Sequence, residues 1–204
     1  MFKKIDAYLL FSGDNRFYFT GFRSSAGYVI LTPQEKYLFI DFDGVLNTHN
    51  YRSYLIENET DTNDEFGCLF DPQAVACLKF IVEKTAAKIV ISSSWKEYGA
   101  DFLRELWEKR NLPEQIYSII PSLISTNYLN HDTGYSFKIP ERYSKGLEIN
   151  AWIELNVVGD YSYCIIDDEA FFLPYQLEHL VQVDEENGLT GEKASMAIEI
   201  LNNK

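Results

Sequence analysis

Positive charge is the scarcest commodity in this 204-residue chain. Lys and Arg total 18 against 31 Asp and Glu, the formal net charge is −13, and no basic cluster stands out. A protein that grips a long polyanion ordinarily presents a basic patch. Extensive nucleic-acid binding is therefore not expected, and a small phosphorylated substrate is the favoured partner; a single nucleic-acid end entering a local metal site stays open as a second. Long apolar runs are missing too. No segment reaches the roughly 20 residues a membrane-spanning helix needs, and the N-terminus shows no signal-peptide pattern, so the expectation is a cytoplasmic protein without a membrane partner. Cysteine is sparse. Cys68, Cys77 and Cys164 are odd in number and lack metal-ligand spacing, which argues against a disulfide framework or thiolate metal centre and for reduced thiols. Neither internal repeats nor low-complexity segments are visible.

What is present fits a soluble domain with one substantial core. Hydrophobic residues make up 46% of the chain and charged residues 24%, both ordinary values. Aromatic content is high at 15%; most of it is expected in the core, part of it at a substrate entrance. Cys164 reads as a small apolar filler inside a buried strand.

Three short β-prone runs carry the functional signal. Tyr37-Leu38-Phe39-Ile40 ends in Asp41-Phe42-Asp43-Gly44-Val45-Leu46-Asn47, Lys88-Ile89-Val90-Ile91 ends in Ser92-Ser93-Ser94-Trp95, and Tyr163-Cys164-Ile165-Ile166 ends in Asp167-Asp168-Glu169. Carboxylates at a buried strand end are costly unless a cation compensates them, and a hard divalent ion such as Mg²⁺ prefers oxygen ligands. Gly44 permits a sharp turn directly after the first acid pair. Between the second and third runs, Lys145 heads a stretch with helical spacing, Leu147, Ala151 and Glu154 or Ile149, Trp152 and Ile153. In an open α/β sheet, ligands bind beyond the carboxyl ends of the strands, so one site built from all three ends is the economical reading.

Structural alternatives stand beside each of these. Asp41 and Asp43 also suit a turn that caps a helix. Ser92 to Ser94 also suit an N-cap cluster for a helix beginning at Trp95 or Lys96, a place where phosphate is equally at home. Lys138 and Arg142 compete with Lys145 as the cation of the site. Spacing alone does not decide which of Asp167 and Asp168 is the inner metal ligand, because adjacent strand residues point opposite ways.

In this order, YLFIDFDGVLN, KIVISSSWKEYG, KGLEINAWI and YCIIDDEAFF resemble the haloacid-dehalogenase-like (HAD) hydrolase superfamily. Within it they are similar to small bacterial HAD domains, including those attached to RNA-repair proteins, from about Lys36 to the C-terminus. The resemblance implies a three-layer α/β/α Rossmann-like fold with a mainly parallel sheet and a small or absent cap. It also implies a Mg²⁺-dependent phosphatase that hydrolyses phosphomonoesters through an aspartyl-phosphate. Asp41 would be the nucleophile and Asp43 the general acid/base. Ser92 would hold the phosphoryl oxygens, with Ser93, Gly44 and Asn47 as substrate-contacting neighbours, and Lys145 would neutralise developing charge. The metal would lie among Asp41, the backbone carbonyl of Asp43, Asp167 and Asp168. A nucleic-acid end-processing phosphatase and a non-catalytic HAD-fold binding module are the alternatives, and oligomeric state stays open.

Around these motifs the chain is expected to hold helices at Pro72 to Lys84, Lys96 to Arg110 and Gly191 to Leu201, and a last strand at Leu180 to Val183. Residues 47–71 are expected to form a flap or small cap, with a mobile acidic loop as the competing reading. Ser118 to Arg142, with His131 and Asp132, reads as loop-rich. Residues 1–35 form an accessory segment ahead of the catalytic domain at 36–204. Ile5 to Phe11, Asp14 to Phe22 and Ser25 to Thr32 are similar to a fragment of the N-terminal domain of creatinase and Xaa-Pro aminopeptidases, with nothing of the metal-binding peptidase domain following. Val29 to Thr32 and Lys36 to Ile40 read locally as a β-hairpin, yet a strand ending in Asp41 should be central in a parallel sheet. The conflict is settled for the central strand, with the N-terminal segment expected as an accessory layer at a sheet edge or dimer contact.

Overall fold

The computed structural model describes residues 8–10, 12–20, 29–31, 34–123, 128–129, 136–137 and 144–203. The chain divides into two compact units at 1–35 and 36–204. In the first, β1 (Tyr8–Leu10) pairs antiparallel with β2 (Val29–Leu31), Tyr8 opposite Leu31, with helix α1 (Gly13–Thr20) between them. Among the described residues, Val29–Leu31 pairs with β1 and not with Lys36 to Ile40, whose strand has its partners in a separate sheet.

In the second unit the described elements run β3 (Glu35–Ile40), α2 (His49–Glu57), β4 (Asn63–Asp64), β5 (Gly67–Cys68), α3 (Pro72–Thr85), β6 (Lys88–Ile91), a 3-10 turn (Ser94–Tyr98), α4 (Ala100–Lys109), β7 (Ile116–Ile119), β8 (Tyr128–Leu129), β9 (Ser136–Phe137), α5 (Ser144–Asn156), β10 (Tyr161–Asp167), a second 3-10 turn (Pro174–His179), β11 (Leu180–Gln182) and α6 (Gly191–Asn202). Five strands form one sheet in the order β11-β10-β3-β6-β7, which puts β3 at its centre. β3 runs parallel to β6 with Tyr37 opposite Lys88 and Ile40 opposite Ile91, and β10 runs parallel to β11.

Strand alternation sorts the core into two halves, as period-2 geometry requires. Leu38, Ile40, Ile89, Ile91, Cys164 and Ile166 face one side, where α3, α4 and α6 supply Leu78, Ile81, Leu103, Leu106, Ala194 and Ala197. Tyr37, Phe39, Val90, Tyr163 and Ile165 face the other, where α5 supplies Ile149, Trp152 and Ile153. The result is a three-layer α/β/α fold with a mainly parallel sheet. Local signals place its helices. Asp71 caps α3 by accepting from Gln73 N at 2.8 Å, Pro72 follows at the first turn, and Ala86 closes the helix in the left-handed region.

Two expectations are corrected in detail. The helix read from Lys96 to Arg110 is a 3-10 turn and then α4, broken at Gly99, whose φ of +95° suits glycine. The stretch read as loop-rich from Ser118 opens on the last two residues of β7, an edge strand that pairs parallel with β6 through a register irregularity. Residues 47–71, read as a flap or a mobile loop, hold helix α2 and the β4–β5 hairpin. The ends of this insert are tied together: Thr48 Oγ1 donates to Asp71 Oδ2 at 3.2 Å, and Asp71 N donates to Leu46 O at 2.7 Å. No helix among the described residues is long and apolar enough to cross a membrane. Cys164 is fully buried in β10.

Candidate active site

The three strand ends meet because the ladder runs one residue beyond the strands. Asp41 N donates to Ile166 O at 3.1 Å, Ser92 N to Ile40 O at 2.9 Å, and Val183 N to Asp167 O at 2.9 Å. Asp41 therefore stands between Asp167 and Ser92 at the carboxyl edge of the sheet, where open α/β folds place their ligands.

Lys145 completes the group from the first turn of α5. Its Nζ lies 2.6 Å from Asp41 Oδ2 and 2.7 Å from Asp167 Oδ2. Two contacts explain how α5 reaches this close. Gly146 has no side chain where Gln176 docks: a Cβ there would come within 2.7 Å of Gln176 Oε1. The fully buried Gln176 instead donates from Nε2 to Gly146 O at 2.9 Å and accepts from Leu173 N at 3.0 Å. One turn further along, Glu148 pairs with Lys96 from the 3-10 turn after β6 and accepts from Leu123 N at 3.0 Å.

Asp41, Asp167 and Asp168 each offer a carboxylate oxygen, all within 4.8 Å of one another. Gly44 makes room for the third: its φ is +68°, and a Cβ would lie 2.7 Å from Asp168 Oδ2. Three carboxylates share one ammonium, and the electrostatics show the imbalance. Burial and then the Asp41 charge push Asp167 up to about 7, against the pull of Lys145. Burial and then Asp41 also raise Asp168. Burial works against the Lys145 charge, yet Asp41 and Asp167 hold its pKa above the ordinary lysine value. Both members of the Lys145–Asp167 pair are raised for different reasons: Asp167 by its burial and then by the Asp41 charge, Lys145 because two carboxylates face one ammonium. A hard divalent cation among these oxygens would remove the excess, so the donor set fits Mg²⁺.

Ser92 Oγ is buried and has no hydrogen-bond partner among the described residues, a costly state for a hydroxyl unless a ligand satisfies it. Ser93 is buried as the N-cap of the 3-10 turn, its Oγ accepting from Trp95 N at 3.3 Å. Ser93 thus caps the turn, while the Ser92 hydroxyl is left without a partner among the described residues. Asp43 is not one of the three converging carboxylates. Its Oδ1 accepts from Asn47 Nδ2 at 2.7 Å and its Oδ2 from Trp95 Nε1 at 2.9 Å, while Asn47 Oδ1 accepts from Gly44 N at 3.1 Å. Asp43, Gly44, Asn47 and Asp168 also line a cavity of about 190 Å³ whose far wall includes Arg52 and Leu55 of α2. The rivals Lys138 and Arg142, with His131 and Asp132, lie outside the described residues.

Sequence reading passed over Trp95 as a partner of Asp43, the Lys96–Glu148 pair, and Arg110, which binds Asp64 through Nε at 2.9 Å and Nη2 at 2.6 Å. Spacing offers no signal for such pairs. A tryptophan inside a serine-rich strand end was the one available hint.

A family model described as the HAD domain in Swiss Army Knife RNA repair proteins matches residues 37–194. A second, the creatinase/prolidase N-terminal domain, matches residues 2–58 and so runs past the unit boundary at Glu35. A putative serine/threonine-protein kinase of Acanthamoeba polyphaga mimivirus is 32% identical over 133 residues, which is 63% of this chain and 21% of the viral protein. The chain thus spans well under two thirds of that relative. No solved structure gives a match.

Proposed function

The chain belongs to the HAD family of Swiss Army Knife RNA repair proteins, and from that premise we propose that it is a Mg²⁺-dependent phosphatase acting on phosphomonoesters through an aspartyl-phosphate. One observation carries the reading: Asp41, Asp167 and Asp168 converge within 4.8 Å, with Lys145 bridging two of them.

Asp41 is the nucleophile. Its Oδ1 is fixed by Phe42 N at 2.6 Å, while Oδ2 faces Lys145. In the first step an Asp41 oxygen bonds to phosphorus, the bond to the leaving oxygen breaks, and Asp43 gives that oxygen a proton. In the second, water attacks phosphorus, Asp43 takes its proton, and the bond to Asp41 breaks to release phosphate. The free Ser92 hydroxyl donates to a phosphoryl oxygen, and Lys145 stabilises charge on the transferring group. Mg²⁺, held by Asp41, Asp167 and Asp168, would offset repulsion between the nucleophile and an anionic substrate.

The favoured substrate is a small phosphorylated molecule, since the net charge of −13 repels a polyanion. The family's description favours a second reading, removal of a terminal phosphate from RNA or DNA. A non-catalytic module has less support, because burying Asp41 and Asp167 is costly without a function for them. Sugar phosphates, nucleoside monophosphates and phosphorylated oligonucleotides, each assayed with Mg²⁺ and with chelator, separate the three. Mg²⁺-dependent release from the small esters supports the first reading, release from oligonucleotides alone the second, and no release the third.

A further inference from the structure

We infer that Trp95 is a positioning residue for Asp43: its indole N–H holds the acid/base carboxylate in place, and its ring seats the β4–β5 hairpin beside that carboxylate. The inference rests on the phosphatase reading, which gives Asp43 its proton-transfer role.

Asp43 is exposed, and an exposed carboxylate samples several rotamers unless something fixes it. Each of its oxygens takes one donor. Asn47, on the same turn, is a local partner, whereas Trp95 comes from the end of a different strand, 52 residues away. That long-range bond ties the proton donor to the sheet edge that also carries Ser92.

The indole itself has little freedom. Its ring lies 5.6 Å from Phe42 at 81°, 5.9 Å from Phe70 and 6.3 Å from Tyr98 between centroids. The Arg110 guanidinium lies 5.9 Å from the same ring and 4.4 Å from Phe70. Arg110 in turn grips the hairpin through Asp64 and through Gly67 O at 3.2 Å. A Cβ at Gly67 would stand 3.3 Å from Trp95 Cη2, so the hairpin turn rests directly on the indole. The six-membered ring of the indole meets the hairpin, and the N–H donates to Asp43, its acceptor among the described residues, so the two halves of the side chain serve two contacts.

The test is Trp95→Phe, read as kcat/KM, which reports the steps up to leaving-group departure. Alkyl phosphates need a proton on the departing oxygen; aryl phosphates with an acidic phenol do not. Trp95→Phe is expected to lose about tenfold to a hundredfold on alkyl phosphates, within the range general acids contribute, and to change little on the activated aryl ester. In an Asp43→Asn background the same substitution is expected to cost nothing further, as a residue acting through Asp43 must. Equal loss on both substrates, additive loss in the double variant, or no loss on alkyl phosphates would overturn the inference. Should Trp95→Phe fold poorly by circular dichroism, benzothienylalanine at position 95 removes the N–H at constant shape and is held to the same outcomes. An inactive parent protein would remove the phosphatase reading and this inference together; an active parent with any of the three contrary results removes this inference alone.

Discussion

Lys96 and Glu148 form an ion pair whose side chains are only 11% and 7% exposed. It joins the turn that follows Ser92 to the helix whose first turn carries Lys145, and so fixes these two residues relative to each other. Buried pairs of this kind rarely add much net stability, but losing one partner strands the other charge. Lys96→Met is expected to cost about 3–5 kcal/mol in urea unfolding. Replacing both residues with methionine is expected to recover most of that loss, which the double variant's midpoint measures.

Ser92 gives the opposite expectation for stability. Its hydroxyl has no partner among the described residues, so Ser92→Ala removes an unsatisfied donor and should leave the unfolding midpoint unchanged or slightly raised. Catalysis should suffer. A hydrogen bond to a charged group contributes about 1.5–3 kcal/mol, so kcat/KM is expected to fall about tenfold to a hundredfold while the melting curve holds.

Asp167 makes the metal-free fold sensitive to pH. Burial and Asp41 raise its folded pKa to about 7, above the ordinary carboxylate value of about 3.9. The folded chain therefore keeps a proton that the unfolded chain has already lost. This stabilisation is complete below about pH 4 and disappears as pH rises through about 7. In chelator, melting temperature should decline between about pH 4 and pH 7 and level off above that. The decline should be weaker in Asp167→Asn and should vanish when Mg²⁺ compensates the ionised cluster.

Arg110 is expected to control the hairpin without controlling the sheet. Its side chain is 8% exposed and grips Asp64 bidentately. Arg110→Met should raise amide exchange in Asn63–Cys68 by about tenfold or more, from the loss of charged hydrogen bonds. Protection in β3, β6 and β10 should stay near that of the parent; uniform loss across the sheet would show a global effect instead.

Much of the architecture could be read from the chain because β3, β6 and β10 are each short apolar runs that stop at a polar residue, and strands buried on both faces look like that. The carboxylates at two of those ends drew attention for the same reason. Three features resisted. Val29 to Leu31 looked like the hairpin partner of β3 because local spacing cannot report that Tyr8 to Leu10 competes for it. β7 is four residues long and lies between Pro113 and Pro121, too short for a period to show. Trp95, which donates to Asp43, and Lys96, which pairs with Glu148, each lie 52 positions from their partner, and such pairings are set by strand order, which no window along the sequence contains.

The most direct measurement is borohydride trapping of the protein during turnover, followed by peptide mass spectrometry. Reduction of an acyl phosphate turns aspartate into homoserine. Homoserine at position 41, dependent on substrate and Mg²⁺, is the expected result. Turnover with no trapped species at Asp41, or trapping at a different carboxylate, would contradict the assignment of Asp41 as nucleophile.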